Sequence, residues 1–182
     1  AKTFIVYART NPDPASKHHG ISAFFVDRAA PGFSVGPSEK KMGIRGSSTT
    51  TLTLDGVRVP AADRLGAEGE GFKIAMATLD GGRIGIAAQA VGIAQACLDA
   101  SVKYAKERQQ FGQPIGDFQA IQWKLAEMAT DIDAAKLLIY RAARLRDEGV
   151  PHAREASMAK LFASAIANKA ANEAVQIHGG AG

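Results

Sequence analysis

The stretch YAKERQQFGQPIGDFQ, Tyr104 to Gln119, decides the fold, because its residues predict a joint between two long helices. Helical periodicity runs up to Arg108. Gly112 can adopt the left-handed conformation that ends a helix, and Pro114 cannot continue one. Asp117 then suits the N-cap of the next helix. The stretch therefore predicts a helix, a short turn and a second helix.

Three polar side chains cluster around this turn: Arg108, Gln110 and Gln119. A guanidinium fork grips a phosphate with two hydrogen bonds, and a carboxamide offers a donor and an acceptor together. A turn that only joins two helices does not need this combination, which suggests an anion-binding role. The alternative is a solvated turn with ordinary surface residues, and spacing alone favours that alternative.

Residues 1–66 are predicted to form the C-terminal part of an antiparallel β domain. Between Thr49 and Val59, the residues Thr50, Leu52 and Leu54 alternate with threonines, as in a strand with one buried face. Strands are predicted at Thr3 to Arg9, Ile21 to Val26, Phe33 to Val35 and Thr49 to Val59, with a polar loop at Asn11 to Gly20. Four strands without covering helices indicate an incomplete sandwich or barrel.

Residues 67–182 are predicted to form a helical bundle, entered through the glycine-rich hinge GAEGEGF, Gly66 to Phe72. A short helix is expected over Gly71 to Thr78. Two long helices should follow, because apolar residues recur at steps of three and four, as in the narrow seam of an antiparallel bundle. The seam positions are Ile84, Ala87, Val91, Ala94, Leu98, Val102 and Ala105, then Phe118, Ile121, Leu125, Met128, Ile132, Ala135, Ile139, Ala142 and Leu145.

A third long helix is predicted from Arg154 to the run His178-Gly179-Gly180. It should pack through Met158, Leu161, Phe162, Ala165 and Ile166, and Trp123 on the second helix should also pack. Three helices in series form an up-down bundle that lacks a fourth member, which we expect beyond Gly182 in a longer protein. The predicted fold class is α+β with more than one domain, a partial antiparallel sandwich or barrel followed by an up-down bundle.

Composition and charge exclude several classes of protein. The net charge of +4 comes without any Lys/Arg run longer than Lys40-Lys41, which argues against a nucleic-acid surface. The only cysteine, Cys97, excludes a disulfide framework, fits a reducing compartment and is expected to be a small buried hydrophobe. No continuous apolar run is long enough to span a bilayer.

No metal site is predicted. His18 and His19 are adjacent in a loop, and the other histidines stand alone, so a zinc ligand set is missing. Glu127 and Asp131 lie four residues apart on one helix face, but no Glu-x-x-His pair accompanies them. We expect these two carboxylates to form a solvated stripe.

Several motifs together resemble the acyl-CoA dehydrogenase family, most closely its short-chain, butyryl-type branch. They are KMGIRGSSTTTLTLDGVRVP from Lys41 to Pro60, GEGFKIAMATLDGGRIGIAAQAVGIAQ from Gly69 to Gln95, RQQFGQPIGDFQ from Arg108 to Gln119, and QIHGGAG from Gln176 to Gly182. The resemblance runs the whole length of the chain. It is specific because unrelated motifs occur in order at the family's spacing.

The resemblance implies FAD as cofactor. Arg108 matches the family arginine that binds the FAD pyrophosphate of a neighbouring subunit, and Gln110, Phe111, Phe118 and Gln119 flank it. A second segment would approach the same FAD from across the dimer through Gln176, Ile177, His178, Gly179 and Gly180. Glycines let a backbone come close to a ligand, and an arginine fork matches a pyrophosphate.

The resemblance also implies a substrate segment, Asp80, Gly81, Gly82 and Arg83, whose first and last members would contact the CoA part of a thioester. The alternative is an N-cap aspartate and a first-turn arginine at the start of the long helix. The family's catalytic base is a glutamate, expected beyond Gly182 or, in other branches, at the position of Gly82. Residues 1–182 are therefore expected to carry no catalytic residue.

The implied activity is α,β-dehydrogenation of a short-chain acyl-CoA to the trans-2-enoyl-CoA in fatty acid β-oxidation, with electrons passed to electron-transfer flavoprotein. The implied assembly is a dimer of dimers, in the bacterial cytoplasm or the mitochondrial matrix. Two alternatives stay open: a flavin monooxygenase or oxidase on the same fold, and a helical scaffold that binds acyl-CoA or a partner without catalysis.

Overall fold

Strands dominate the first 65 residues, and the computed structural model describes residues 1–182 without a gap. β1 (Thr3–Arg9) pairs antiparallel with β2 (Ile21–Asp27), from Thr3 opposite Asp27 to Arg9 opposite Ile21. β5 (Arg64–Leu65) pairs with the other edge of β2. β3 (Phe33–Ser38) and β4 (Thr50–Leu54) form a separate antiparallel pair.

The fourth strand is shorter than predicted, because it ends at Leu54 rather than Val59. Gly56 adopts a φ of 61°, and the amide of Asp55 donates to the carbonyl oxygen of Gly32. The Asp55-Gly56 signal thus marks the end of the strand. The polar loop before β2 contains a 3₁₀ helix, Pro14–Gly20, whose first turn is capped by the side chain of Asp13.

Glycines allow the hinge to press against β2. A Cβ on Gly71 would lie 2.6 Å from the backbone carbon of Ser22, and one on Gly69 would clash with the carbonyl oxygen of His19. The amide of Gly69 donates to the buried hydroxyl of Ser22 at 2.9 Å. Only glycine fits these two positions.

One continuous helix, α1 (Gly71–Glu107), follows the hinge. The prediction of a separate short helix over Gly71 to Thr78 is wrong, and so is the N-cap role of Asp80, because Asp80-Gly81-Gly82 lies inside the helix. A helical glycine costs about 0.5–1 kcal/mol relative to alanine. The continuous buried seam, which includes Ile84 and Ala87, outweighs that cost.

The helices α2 (Gln119–Asp147) and α3 (Ala153–His178) complete a three-helix bundle. Ion pairs Lys124–Glu173 and Arg141–Glu155 join opposite ends of α2 and α3, so these two helices run antiparallel. A single apolar core draws residues from all three helices, with Met128 and Ile132 at its centre. The predicted seams of α1 and α2 are confirmed.

The predicted packing face of α3 is partly wrong. Leu161 is 72% exposed and Met158 is 44% exposed, whereas alanines fill the core side. Small side chains let α2 and α3 approach closely, so the larger residues point away from that contact. The core positions of α3 are Ala156, Ala159, Ala163, Ile166, Ala167, Ala170, Ala174 and Ile177. Trp123 also does not pack as expected, since it is 64% exposed.

The predicted α+β fold class is confirmed. The chain divides into two compact units, Ala1–Ala77 and Thr78–Gly182, while the predicted domain boundary at residues 66 and 67 stays a prediction. Contrary to the expectation from the sequence, α1 is long and apolar enough to cross a bilayer, with a mean hydropathy of 1.3 in its best window. One such helix is weak evidence, because core helices meet the same criterion.

Candidate functional site

The joint between α1 and α2 is a tight hairpin rather than a helix-ending turn. α1 ends at Glu107, and β6 (Gln109–Gln110) pairs with β7 (Gln113–Pro114). Phe111 and Gly112 form the two-residue loop with φ values of 53° and 82°. Positive φ at both positions is typical of a type I′ hairpin, where phenylalanine is strained. Gly112 therefore turns the hairpin and does not cap α1.

The predicted N-cap at Asp117 is also wrong. Asp117 lies in a 3₁₀ turn, Ile115–Asp117, and the N-cap residue of α2 is Phe118, which makes no side-chain capping bond. The amides of Ile121 and Gln122 donate to the carbonyl oxygen of Phe118. The turn thus enters α2 through backbone bonds alone.

A cleft of about 440 Å³ opens between the end of α1, this hairpin and the end of α3. It brings together predicted residues that are about 70 positions apart in the sequence, Arg108 and Gln110 on one side and the segment 177–180 on the other. Its lining consists of Tyr104, Arg108, Gln110, Ile115, Ile177, His178, Gly179, Gly180 and Ala181.

Four predicted cofactor residues do not line this cleft. Phe111 is 92% exposed at the hairpin tip, where its ring meets Phe118 edge-on at 6.2 Å. Gln119 begins α2 and Gln176 lies in the last turns of α3, both exposed. Ile177 does line the cleft but is 4% exposed and belongs to the core, so its side chain serves packing.

The side chains that line the cleft carry one permanent positive charge. Arg108 is its only permanently charged residue, and the lining contains no carboxylate. The Arg108 side chain makes no hydrogen bond or ion pair within the chain, while its backbone carbonyl accepts from the amide of Ile115. At the opposite wall Gly179 has a φ of 58°, and a Cβ on Gly180 would meet nothing within 4 Å. An open backbone thus shares the cleft with an unpaired guanidinium.

Sequence reasoning missed Tyr104. Its ring stacks on His178 with centroids 4.4 Å apart and 26° between planes. His178 Nδ1 lies 2.8 Å from the carbonyl oxygen of Ala174. The stack joins the end of α1 to the end of α3. A signal was available, since Tyr104 precedes Arg108 by four residues and shares its helix face.

The predicted substrate segment lies in the middle of α1. Asp80 and Arg83 form an ion pair one turn apart, and both side chains are partly exposed. A Cβ on Gly81 would lie 3.1 Å from Nη1 of Arg146, whereas one on Gly82 would meet nothing within 4 Å. Sequence reasoning missed Arg146, whose guanidinium lies over Gly81 and makes no ion pair in the chain.

The prediction that Glu127 and Asp131 form a solvated stripe is partly wrong: Glu127 is 65% exposed, but both carboxylates are paired. Lys169 Nζ lies 3.0 Å from both Glu127 and Asp131, so these side chains bridge α2 and α3. Hydrogen bonds to Glu127 and then Asp131 raise the pKa of Lys169. At the other end of α3 the hydrogen bond from Arg154 lowers the pKa of Glu155. No group of three or more His, Cys, Asp or Glu side chains could hold a metal ion.

Comparison with known families gives the class of this chain. The model of the C-terminal domain of acyl-CoA dehydrogenases matches residues 69–182, and that of the middle domain matches residues 1–57. The chain belongs to the acyl-CoA dehydrogenase family.

Individual relatives agree with that assignment. An acyl-CoA dehydrogenase of Bacillus subtilis (strain 168) is 56% identical over the whole chain and 48% of its own length. An acryloyl-CoA reductase (NADH) of Anaerotignum propionicum is 52% identical over the whole chain and 46% of its own length. The solved structure of butyryl-CoA dehydrogenase from Megasphaera elsdenii is 50% identical with a TM-score of 0.95, covering 99% of this chain and 46% of that one. The chain thus spans about half the length of these relatives.

Proposed function

We propose that the full-length protein is an FAD-dependent acyl-CoA dehydrogenase that converts a short-chain acyl-CoA to its trans-2-enoyl-CoA and passes the electrons to electron-transfer flavoprotein. The observation that carries this proposal is the cleft with the unpaired Arg108 facing the Gly179-Gly180 turn. The similarity to butyryl-CoA dehydrogenase supports the short-chain substrate.

The cleft fits the pyrophosphate of FAD. Arg108 is exposed and has no partner in the chain, and a guanidinium can bind two phosphate oxygens at once. No carboxylate in the lining would repel that anion. The open backbone at Gly180 lets the phosphates approach the end of α3.

Different residues of the chain would contact different parts of FAD. Arg108 would bind the pyrophosphate, and Gln110 offers a carboxamide beside it. Phe111 and Phe118, joined edge-on, would shield the cofactor from water, and Gln119 and Gln176 would contact FAD from outside the cleft. When bound, FAD accepts the hydride from the substrate's β-carbon.

The substrate segment would bind the CoA part of the thioester. The Asp80–Arg83 ion pair is locally neutral, so the attraction for CoA phosphates would come from Arg146 beside it. Gly82 presents no side chain to the substrate face and cannot remove the α-proton. We place the catalytic base outside residues 1–182.

The two sites require two subunits. Arg83 and Glu107 lie on one helix, and 24 residues at 1.5 Å each separate them by about 36 Å. A flavin ring cannot reach that far from its own pyrophosphate. A thioester at Asp80–Arg83 would therefore meet a flavin whose pyrophosphate is held by Arg108 of a second copy. We propose a dimer that pairs again as a dimer of dimers, in a reducing compartment suited to the unpaired Cys97.

Replacing Arg108 by alanine in the full-length protein tests the cofactor site. Loss of a charge-assisted bidentate contact should weaken FAD binding roughly ten- to a hundredfold, measured by quenching of flavin fluorescence. Helix content should stay unchanged, because the side chain has no partner in the fold. Arg144→Ala is the matched control, since that arginine is exposed and paired only with Glu148.

Three outcomes would contradict the proposal. Wild-type FAD affinity in Arg108→Ala would remove the cofactor from this cleft. A flavin that resists reduction by butyryl-CoA without air, in protein that binds both molecules, would favour an acyl-CoA-binding scaffold. Reduction that needs no CoA thioester would favour the oxidase alternative.

A further inference from the structure

One ring nitrogen of His178, in the cleft, is hydrogen-bonded within the chain, and the other has no hydrogen-bond partner. His178 Nδ1 faces the carbonyl oxygen of Ala174 at 2.8 Å. A carbonyl only accepts, so Nδ1 carries a proton and donates. Nε2, on the far edge of the ring, has no partner in the chain. A neutral His178 therefore offers the cleft a lone pair, and only a protonated His178 offers it a second cationic donor.

The groups that face His178 come from α1, the hairpin and α3. Arg108, from the end of α1, lines the same cleft and supplies its one permanent positive charge. Tyr104, also from α1, stacks its ring face on the imidazole. The hairpin and the 3₁₀ turn contribute only Gln110 and Ile115, and the segment 179–181 is uncharged. On α3 the nearby Glu173 is paired with Lys124.

We infer that His178 is a proton-dependent ligand of the anion in this cleft, so that binding of FAD takes up a proton at His178. The inference rests on the proposed function, because it takes the FAD pyrophosphate as the anion. His178 then becomes the second donor beside Arg108, positioned by the Tyr104 stack and by the Ala174 carbonyl. FAD affinity falls as pH rises.

The direction and size of the pH effect on FAD affinity follow from the coupling between FAD binding and proton binding. Imidazoles change charge between about pH 5 and pH 8. An anion accepts a hydrogen bond at Nε2 from the imidazolium but meets a lone pair there on the neutral ring, so its binding takes up a proton. The added affinity is complete at the acid end of this range and is lost as pH rises through it. One charge-assisted hydrogen bond is worth about tenfold in affinity.

The experiment is an FAD titration of the full-length apoprotein, followed by quenching of flavin fluorescence from about pH 6 to about pH 8. Wild type should bind FAD about tenfold more tightly at the acid end than at the basic end. In His178→Asn the shorter amide still donates to Ala174 but leaves nothing at the Nε2 position, so this part of the pH dependence should vanish. Other histidines contribute equally to both proteins and cancel in the comparison.

Two further variants isolate the ring nitrogen. His178→Gln places a permanent neutral donor near the Nε2 position, so its FAD affinity should vary no more with pH than that of His178→Asn. Arg144→Ala, outside the cleft, should keep the wild-type pH dependence. Calorimetry at about pH 7.5, in buffers of different ionisation enthalpy, should show proton uptake on FAD binding in wild type and not in His178→Asn.

The outcomes separate this inference from the proposed function. Equal pH dependence in wild type and both His178 variants, or no difference in proton uptake, overturns the role of His178. Arg108→Ala distinguishes the two ideas, because FAD binding that survives this change unweakened overturns the cleft as the FAD site. Weakened FAD binding in Arg108→Ala with a flat wild-type pH profile leaves the site standing and removes only His178.

Discussion

Two arginines, one inside α1 and one just after its end, differ in their ion-pair partners. Arg83 is paired with Asp80 one turn away on the same helix. Arg108, just beyond the end of α1, has no partner in the chain and lines a cleft built from three separate elements. The first arginine is satisfied locally and by sequence neighbours. The second has no partner among residues 1–182 and is a candidate for binding an anion.

The comparison of Arg83 with Arg108 shows which feature of an arginine indicates that it can bind an anion. Both arginines lie in motifs that resemble family sites, but Arg83 is half-buried and Arg108 is exposed. The more telling difference is the missing ion-pair partner of Arg108, since an unpaired guanidinium beside an open glycine backbone can still bind an anion. By that criterion Arg146, unpaired above Gly81, is a better candidate than Arg83 for an anion contact near the proposed substrate segment.

The largest expected effect comes from mixing two defective subunits. Full-length Arg108→Ala and Arg146→Ala proteins should each lose most activity towards butyryl-CoA at limiting FAD and substrate. If the sites combine residues from two copies, co-refolded mixtures should recover about a quarter of wild-type activity, because half of the dimers carry one intact site. Refolding each variant with itself is the control. Absence of recovery in verified hybrid dimers would place both residues in one subunit's site.

Arg146→Ala alone should affect the substrate and spare the cofactor. Loss of one charge-assisted contact to a CoA phosphate should raise KM for butyryl-CoA about tenfold, with FAD affinity as in wild type. Arg144→Ala, two residues away and paired with Glu148, serves again as control. An unchanged KM would show that Arg146 only packs over Gly81.

The glycines of the substrate segment should respond differently to alanine. Gly82→Ala should stabilise the protein by about 0.5–1 kcal/mol, because the new Cβ meets open space inside a helix. Gly81→Ala should gain less, since its Cβ must displace the guanidinium of Arg146. Chemical denaturation of both variants measures the difference. Equal gains would mean that Arg146 moves aside at no cost.

The smallest effect concerns Glu155, near Arg141 on α2. The hydrogen bond from Arg154 lowers the pKa of this carboxyl from its ordinary 4.5. A lowered pKa stabilises the fold above about pH 4.5, and that contribution is lost as pH falls through the folded-state value. Glu155→Gln should therefore melt below wild type at neutral pH, and the gap should close in acid. A gap that persists in acid would indicate a packing effect.

The seams of α1 and α2 could be predicted because their apolar period is regular over many turns. The face of α3 could not, since nothing in the sequence says that alanines rather than Met158 and Leu161 face a close neighbour. Arg108 and the segment 177–180 were found through the resemblance to a family. Their meeting in one cleft depends on contacts about 70 residues apart.

The errors at Asp80 and Asp117 share one cause. Both are good capping residues beside helix-breaking neighbours, and local preference favours a helix start at each. Burial of the α1 seam carries the helix through Gly81-Gly82, and the hairpin at Phe111-Gly112 moves the entry of α2 by a residue. Local propensity is worth about 1 kcal/mol per residue, which packing readily exceeds.

Because α1 is unbroken, it fixes both the distance and the rotation about the helix axis between the substrate segment and the Arg108 end. Each residue inserted between Arg83 and Glu107 would turn the Arg108 end by about 100° relative to the substrate segment. Seven inserted residues would come within about 20° of the starting angle but lengthen the helix by about 10 Å. The number of residues between the two arginines therefore sets both their distance and their relative rotation about the helix axis. This part of α1 should tolerate substitutions far better than insertions or deletions.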